Sequence, residues 1–198
     1  SLLIELRMNG NDEVEGGITP EECAEQVKIF EPYVDMVHIT CGHRVDAMTR
    51  PKQCPTGFER TAHNAYASEI VKKSGVKIPV GTIGGIYDPA IAEEVLAKGQ
   101  ADYVLMSRSA MADPEIIKKA REGREEDIRP CLRCNYCMDH GRRVAISRDL
   151  HLLAYPSYDR QCMTNPLQFQ SAQKLRIAPP ERSKKVAVIG GGVAGMEA

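Results

Sequence analysis

The sequence predicts an α/β fold built around a parallel sheet. Three observations predict it: four short segments that are apolar throughout, a helix-forming segment after each, and cap or stop residues at the helix ends. Strands of that kind, alternating with helices, imply a parallel sheet covered on both faces. Four such units are half of a (β/α)8 TIM barrel. Periodicity alone also admits an open doubly wound sheet.

The first expected strand is LLIELRM, residues 2–8. A helix follows over 19–31, with Thr19 as N-cap, Pro20 in the first helical position and Glu22 three residues after the cap. Cys23, Val27 and Phe30 fall on one face of it. Residues 34–40 (VDMVHIT) form the second strand, and a long connection leads to a helix over about 60–74 that Gly75 ends. The third strand is 77–83 (KIPVGTI), followed by a helix over 88–99 with Asp88 as cap and Pro89 at its start. The fourth is 101–107 (ADYVLMS), and Asp113-Pro114 opens a last helix to about 121.

The 198 residues allow one or two domains. A composition of 42% hydrophobic and 27% charged residues supports a sizeable core. The net charge of −1 gives no electrostatic reason to expect nucleic acid or an anionic membrane as partner. No apolar run reaches the roughly 18 residues of a membrane span. The opening residues read as a strand and lack the basic and apolar regions of a signal peptide. Clustered thiols of the kind described next stay reduced in the cytoplasm, which is the expected location.

The strand–helix pattern stops at about 124. Residues 124–173 carry a cysteine cluster without clear periodicity, 174–185 read as a polar linker, and 186–198 begin a new unit. Three of the seven cysteines, Cys131, Cys134 and Cys137, form a C-x2-C-x2-C run. Thiolates at that spacing can wrap one iron–sulfur cluster, and a [4Fe–4S] cluster needs a fourth, for which Cys162 is the only downstream candidate. Zinc held by four cysteines is the competing reading, although such sites normally pair two C-x2-C knuckles. Cys23, Cys41 and Cys54 are scattered and read as ordinary reduced thiols.

Residues 186–189 (VAVI) run into G-x-G-x-x-G at Gly190, Gly192 and Gly195, the strand and turn that open a dinucleotide-binding unit. Gly84, Gly85, Ser107 and Arg108 lie just past the third and fourth strands, where barrel enzymes bind phosphate. Arg7 sits within an apolar strand, so a buried guanidinium with an anionic partner is expected there; the plainer reading is a salt bridge within the barrel. His43 follows the second strand on the loop side, where active sites form, although a lone histidine is more often structural.

Together, ELRMNGNDEVEGG (5–17), the Asp88-Pro89 turn after GTIGGI, ADYVLMSRSAMADPE (101–115), RPCLRCNYC (129–137), CMTNP (162–166) and VAVIGGGVAGMEA (186–198) resemble the iron–sulfur branch of the old yellow enzyme family. That branch includes 2,4-dienoyl-CoA reductase, trimethylamine dehydrogenase and the bile-acid-inducible NADH-dependent flavin oxidoreductases. The resemblance implies that residues 1–123 are the C-terminal half of an FMN-binding barrel. It implies a [4Fe–4S] segment at 124–173 and the first strand and turn of an FAD- or NAD(P)-binding domain at 186–198. It further implies that Arg7 approaches the pyrimidine side of FMN, that Gly85, Ser107 and Arg108 hold its phosphate, and that Cys131, Cys134, Cys137 and Cys162 ligate the cluster. His43 lies near a histidine that some members use beside the substrate, with different local spacing.

Electrons would then pass from NAD(P)H through a second flavin and the cluster to FMN, and from FMN to an activated C=C bond. Amine oxidation and a non-catalytic zinc module are the alternatives. Two departures stand out: 24 residues separate Cys137 from Cys162, about twice the family's interval, and Gly85 stands where some relatives carry arginine. The resemblance also makes the chain a piece of a longer polypeptide. Its open sheet edges would favour pairing with another copy, a homo-oligomer.

Overall fold

The computed structural model describes residues 2–43, 48–138, 162–168, 182–183, 185–192 and 196. Strands β1 (Glu5–Asn11), β2 (Met36–Cys41), β3 (Val80–Ile83) and β4 (Tyr103–Leu105) form one sheet in the order β1-β2-β3-β4. Every pairing is parallel. Helices α1 (Pro20–Phe30), α3 (Ala65–Lys73) and α4 (Pro89–Ala97) make the crossovers expected between parallel neighbours.

Local chemistry explains the helix starts. In α1 the Thr19 hydroxyl accepts from the Glu22 N–H at 3.3 Å, and the Glu22 carboxylate accepts from the Thr19 N–H at 2.9 Å, a complete capping box. Asp88 caps α4 by accepting from the Ala90 N–H at 2.8 Å. The core lies between the sheet and α1 and α3. Cys23, Ala24 and Val27 of α1 meet Val37, Ile39 and Cys41 of β2, Val80 of β3, and Ala67 and Val71 of α3. Cys23 and Cys41 are fully buried and pack as small hydrophobes, as the plain reading of them expects. Burial pushes their thiols up, to about 11 and about 12 respectively.

Several expectations are corrected. The first strand runs 5–11 rather than 2–8, and β3 and β4 are shorter than expected. The third helix starts at Ala65 rather than near 60, because residues 61–64 form a turn with Ala62 at φ 48°. A four-residue helix, α2 (Arg50–Gln53), interrupts the long connection. The last expected helix starts at Ile116 rather than at Asp113 (α6, Ile116–Arg121), and a short helix that was not expected, α5 (Ser107–Ala112), precedes it. Asp113 separates them, with its carboxylate accepting from the Glu115 and Arg129 N–H groups.

Arg7 is exposed rather than buried, because side chains alternate along β1 and place Glu5, Arg7 and Asn9 on the face away from α1 and α3. Among the described residues it makes no ion pair. Residues 186–189 are not a strand but exposed chain: among the described residues no neighbour offers them a ladder, and a strand has no internal hydrogen bonds of its own. The long insertion after Cys137 and most of the linker lie outside the described residues.

Candidate functional site

The C-terminal ends of parallel strands and the loops that follow them are where an α/β sheet presents its site. The row Arg7, His38, Gly81 and Tyr103 crosses the sheet in register beneath that end. Tyr103 lies flat over Gly81, where a Cβ would come within 2.4 Å of its ring. Its hydroxyl thereby reaches the Glu5 carboxylate at 2.8 Å, which also meets His38 Nδ1 at 3.0 Å.

Above this row, a hollow of about 170 Å³ opens beyond β3 and β4. Arg7, Gly84, Gly85, Ser107 and Arg108 all line it, so the tertiary structure brings five of the sequence candidates together. Gly84 and Gly85 have φ of +113° and +70°, a left-handed turn that glycine adopts without strain. The Ser109 hydroxyl donates to the Ile86 carbonyl at 2.9 Å, tying the turn after β3 to α5. Three arginines line the hollow (Arg7, Arg108 and Arg133) and, among the described residues, no carboxylate does. Such a wall suits an anionic ligand, with open backbone at the glycine turn and guanidinium forks for phosphate.

A second, much smaller hollow of about 20 Å³ adjoins the first, and Arg108 and Cys131 line both. Cys131, Cys134, Cys137 and Cys162 all face it. Two anchors bring these cysteines together. Asp113, held by Lys119 at 2.6 Å, accepts the Arg129 N–H at 2.9 Å and so fixes the approach to Cys131. Burial would raise the Asp113 carboxyl, but the Lys119 contact and the backbone N–H groups outweigh it and hold it below the usual range. Asn165, itself buried, donates to the Met111 carbonyl at 2.9 Å and docks the Cys162 segment on α5.

The sulfurs take part in hydrogen bonds as well: the Arg133 N–H donates to Cys131 Sγ at 3.4 Å, and Thr164 Oγ1 and Cys162 Sγ share a contact of 3.4 Å. Burial pushes the Cys137 thiol up; Arg108 opposes this, and the other three cysteines add to it. The four cysteines line one hollow, and among the described residues no group of three or more His, Cys, Asp or Glu is placed to hold a single ion. The donor set fits a larger inorganic group such as a four-iron cluster.

Residues 2–127 match the profile of the NADH:flavin oxidoreductase / NADH oxidase family. The chain belongs to this family. Its α/β fold on a parallel sheet is similar to that of the TIM-barrel flavoenzymes. It is 35% identical to the NADH oxidase of Thermoanaerobacter brockii over 98% of its own length, and 34% identical to a bilirubin reductase of Mediterraneibacter gnavus over 92%. It superposes on a 2-naphthoyl-CoA reductase in complex with 2-naphthoyl-CoA with a TM-score of 0.72 and 31% identity over 96% of the chain. The chain spans only 28%, 26% and 27% of those three proteins' own lengths.

Not every candidate joins the site of this family member. His43 follows β2, and its backbone N–H donates to Thr49 Oγ1 at 3.0 Å, but it is not among the residues lining either hollow. Gly190 and Gly192 are exposed and contact nothing within 4 Å of a built Cβ, and Gly195 lies outside the described residues. Conversely, sequence reasoning missed three contributors. Arg133 and Asn135 sit inside the cysteine run at φ +52° and +57°, a conformation their residue types gave no reason to suspect.

Glu13, on the loop after β1, also went unnoticed. It accepts from Tyr66 Oη at 3.1 Å, meets His63 Nε2 at 2.8 Å and pairs with Lys52. Burial would raise its carboxyl, but the hydrogen bonds from Lys52 and His63 prevail and hold it below the usual value. The only local hint is its place within NGNDEVEGG.

Proposed function

We propose that this chain belongs to an NAD(P)H-dependent reductase in which residues 1–123 are the C-terminal half of an FMN-binding barrel and 124–173 bind a [4Fe–4S] cluster. Residues 174–185 are then a linker, and 186–198 begin an FAD- or NAD(P)-binding domain. The observation that carries the reading is the adjacency of the two hollows, one lined by three arginines and a glycine turn, the other by four cysteines, with Arg108 and Cys131 common to both.

Within it, Gly84, Gly85, Ser107 and Arg108 hold the FMN phosphate, and Arg7 approaches the ring. Cys131, Cys134, Cys137 and Cys162 ligate the cluster, and the C-x2-C-x2-C run with a single further cysteine supports a cluster over zinc, whose four-cysteine sites normally pair two C-x2-C knuckles. Gly190, Gly192 and Gly195 open the nucleotide-binding turn, and His43 stands on the substrate side. When bound, these groups supply hydride transfer at flavin and single-electron transfer at the cluster, linking NAD(P)H and a second flavin to an activated C=C bond. The protein's part is to hold the two centres side by side and to offset negative charge with Arg7 and Arg108. Similarity to a bilirubin reductase and a 2-naphthoyl-CoA reductase favours reduction as the direction of the reaction.

The test is anaerobic reconstitution of the intact protein with iron, sulfide and FMN, followed by an assay of NADH- or NADPH-dependent reduction of an enoate such as cinnamate. Bound FMN, about four iron per chain and substrate-dependent nicotinamide oxidation are expected. Stoichiometric zinc without iron uptake, or no flavin binding, would overturn the reading.

A further inference from the structure

We propose that Arg133, carried on the cysteine loop itself, is a second cationic contact for the phosphate of the flavin in the larger hollow, so that cysteine ligation and flavin affinity are linked. The inference rests on the flavin reading above.

Arg133 lies between Cys131 and Cys134, yet its side chain leaves the cysteine hollow and crosses to the turn after β3. Its guanidinium donates to the carbonyls of Glu59 at 3.0 Å and Gly57 at 3.4 Å. It stacks over the Tyr87 ring, 4.7 Å from the centroid. Nη1 stands 3.6 Å from the point where a Cβ on Gly85 would sit, beside the Arg60 carbonyl and the Ala62 N–H, so the guanidinium packs directly against the glycine turn. Two carbonyls and a ring fix the direction of the group, while arginine has five N–H donors, so three remain. Arg133 lines a wall with Arg108 and Ser107 that, among the described residues, no carboxylate neutralises. An anion seated at Gly84–Gly85 meets both guanidinium groups.

The backbone supplies the link. Arg133 holds φ +52°, a region that side chains other than glycine rarely occupy, and its N–H is directed at Cys131 Sγ. Ligation of Cys131 and Cys134 fixes the chain on either side of Arg133, and with it the aim of the side chain. By reciprocity, whatever factor cysteine ligation adds to FMN affinity, FMN adds to ligation.

The test compares FMN with riboflavin, which has the same ring and no phosphate, by quenching of flavin fluorescence on the intact protein. Arg133→Gly removes the guanidinium and relaxes the backbone at a positive φ. FMN affinity is expected to fall roughly ten- to a hundred-fold, the worth of a charge-assisted hydrogen bond, with riboflavin affinity unchanged. Arg133→Lys retains the charge and should recover part of the loss. If Arg133→Gly also loses iron, the FMN-to-riboflavin affinity ratio of Arg133→Lys decides the matter, since that variant keeps the loop's charge and lacks only the fork. Iron-stripped wild type should show the same selective loss of FMN affinity. Equal losses for both flavins, or none for either, would overturn the proposal. Wild type that binds neither flavin would overturn the underlying flavin reading instead.

Discussion

The guanidinium of Arg108, at the start of α5 beyond β4, donates to the side-chain oxygen of Asn135 in the middle of the cysteine run. Asn135 in turn donates to the Cys54 carbonyl at 2.7 Å. One arginine thus lines the cysteine hollow and the hollow beside the glycine turn at once. Replacing Arg108 with Ala removes a contact of roughly 1.5–3 kcal/mol. FMN binding to the intact protein should weaken by about ten- to a hundred-fold, as measured by fluorescence titration. An unchanged dissociation constant would show that Arg108 serves the cysteine loop alone.

Replacing any one of Cys131, Cys134 or Cys137 with Ser should abolish or greatly destabilise iron binding. Simultaneous replacement of Cys23, Cys41 and Cys54 with Ala should leave iron content unchanged, because the first two are sealed in the core. Iron analysis of both sets checks this, with circular dichroism confirming the fold. Iron loss in the triple variant with an intact fold would contradict the ligand assignment.

Alkaline pH should reveal the buried thiols. In the unfolded chain they ionise near 9.0, and in the fold near 11 for Cys23 and 12 for Cys41. Their folded values are raised, so their contribution is complete below about pH 9 and declines as the pH rises towards 11 and 12. Each thiol adds a slope of about 1.4 kcal/mol per pH unit within its window. Urea denaturation between pH 8 and 11 should show stability falling, and less steeply in the Cys23→Ala/Cys41→Ala variant. Equal slopes in the two proteins would refute this.

Acid should probe Glu13. Its carboxyl is held below its ordinary 4.5, so its contribution is present above that value and is lost as the pH falls through the lower, folded value. Glu13→Ala leaves Lys52 and His63 without their shared partner and should cost on the order of 3 kcal/mol near neutral pH. Glu13→Gln should flatten the acid dependence below pH 4.5 in denaturation experiments. Unaltered stability in Glu13→Ala would show that Lys52, His63 and Tyr66 hold the loop without it.

Several features were legible because their causes are local. Thr19 and Glu22 sit three residues apart, so the capping box is written in adjacent letters, as are Asp88-Pro89 and the alternation of apolar strands with capped helices. The C-x2-C-x2-C run likewise puts Cys131, Cys134 and Cys137 on one hollow, because two intervening residues can return a chain to the same point. The error over Arg7 came from reading β1 as an apolar run when its period-two pattern already set Glu5, Arg7 and Asn9 on one face.

Tertiary structure alone decided the rest. Arg133 meets Glu59 and Gly57 from more than seventy residues away, Asn135 meets Cys54 across eighty-one, and Glu13 meets His63 across fifty. No periodicity encodes such pairs, because they depend on which loops the parallel crossovers bring to the same end of the sheet. The same holds for Cys162, whose place beside the other three cysteines depends on Asn165 reaching the Met111 carbonyl. Sequence determined which residues could bind; the order β1-β2-β3-β4 determined which of them stand together, since every strand enters from the same side and delivers its following loop to the same rim.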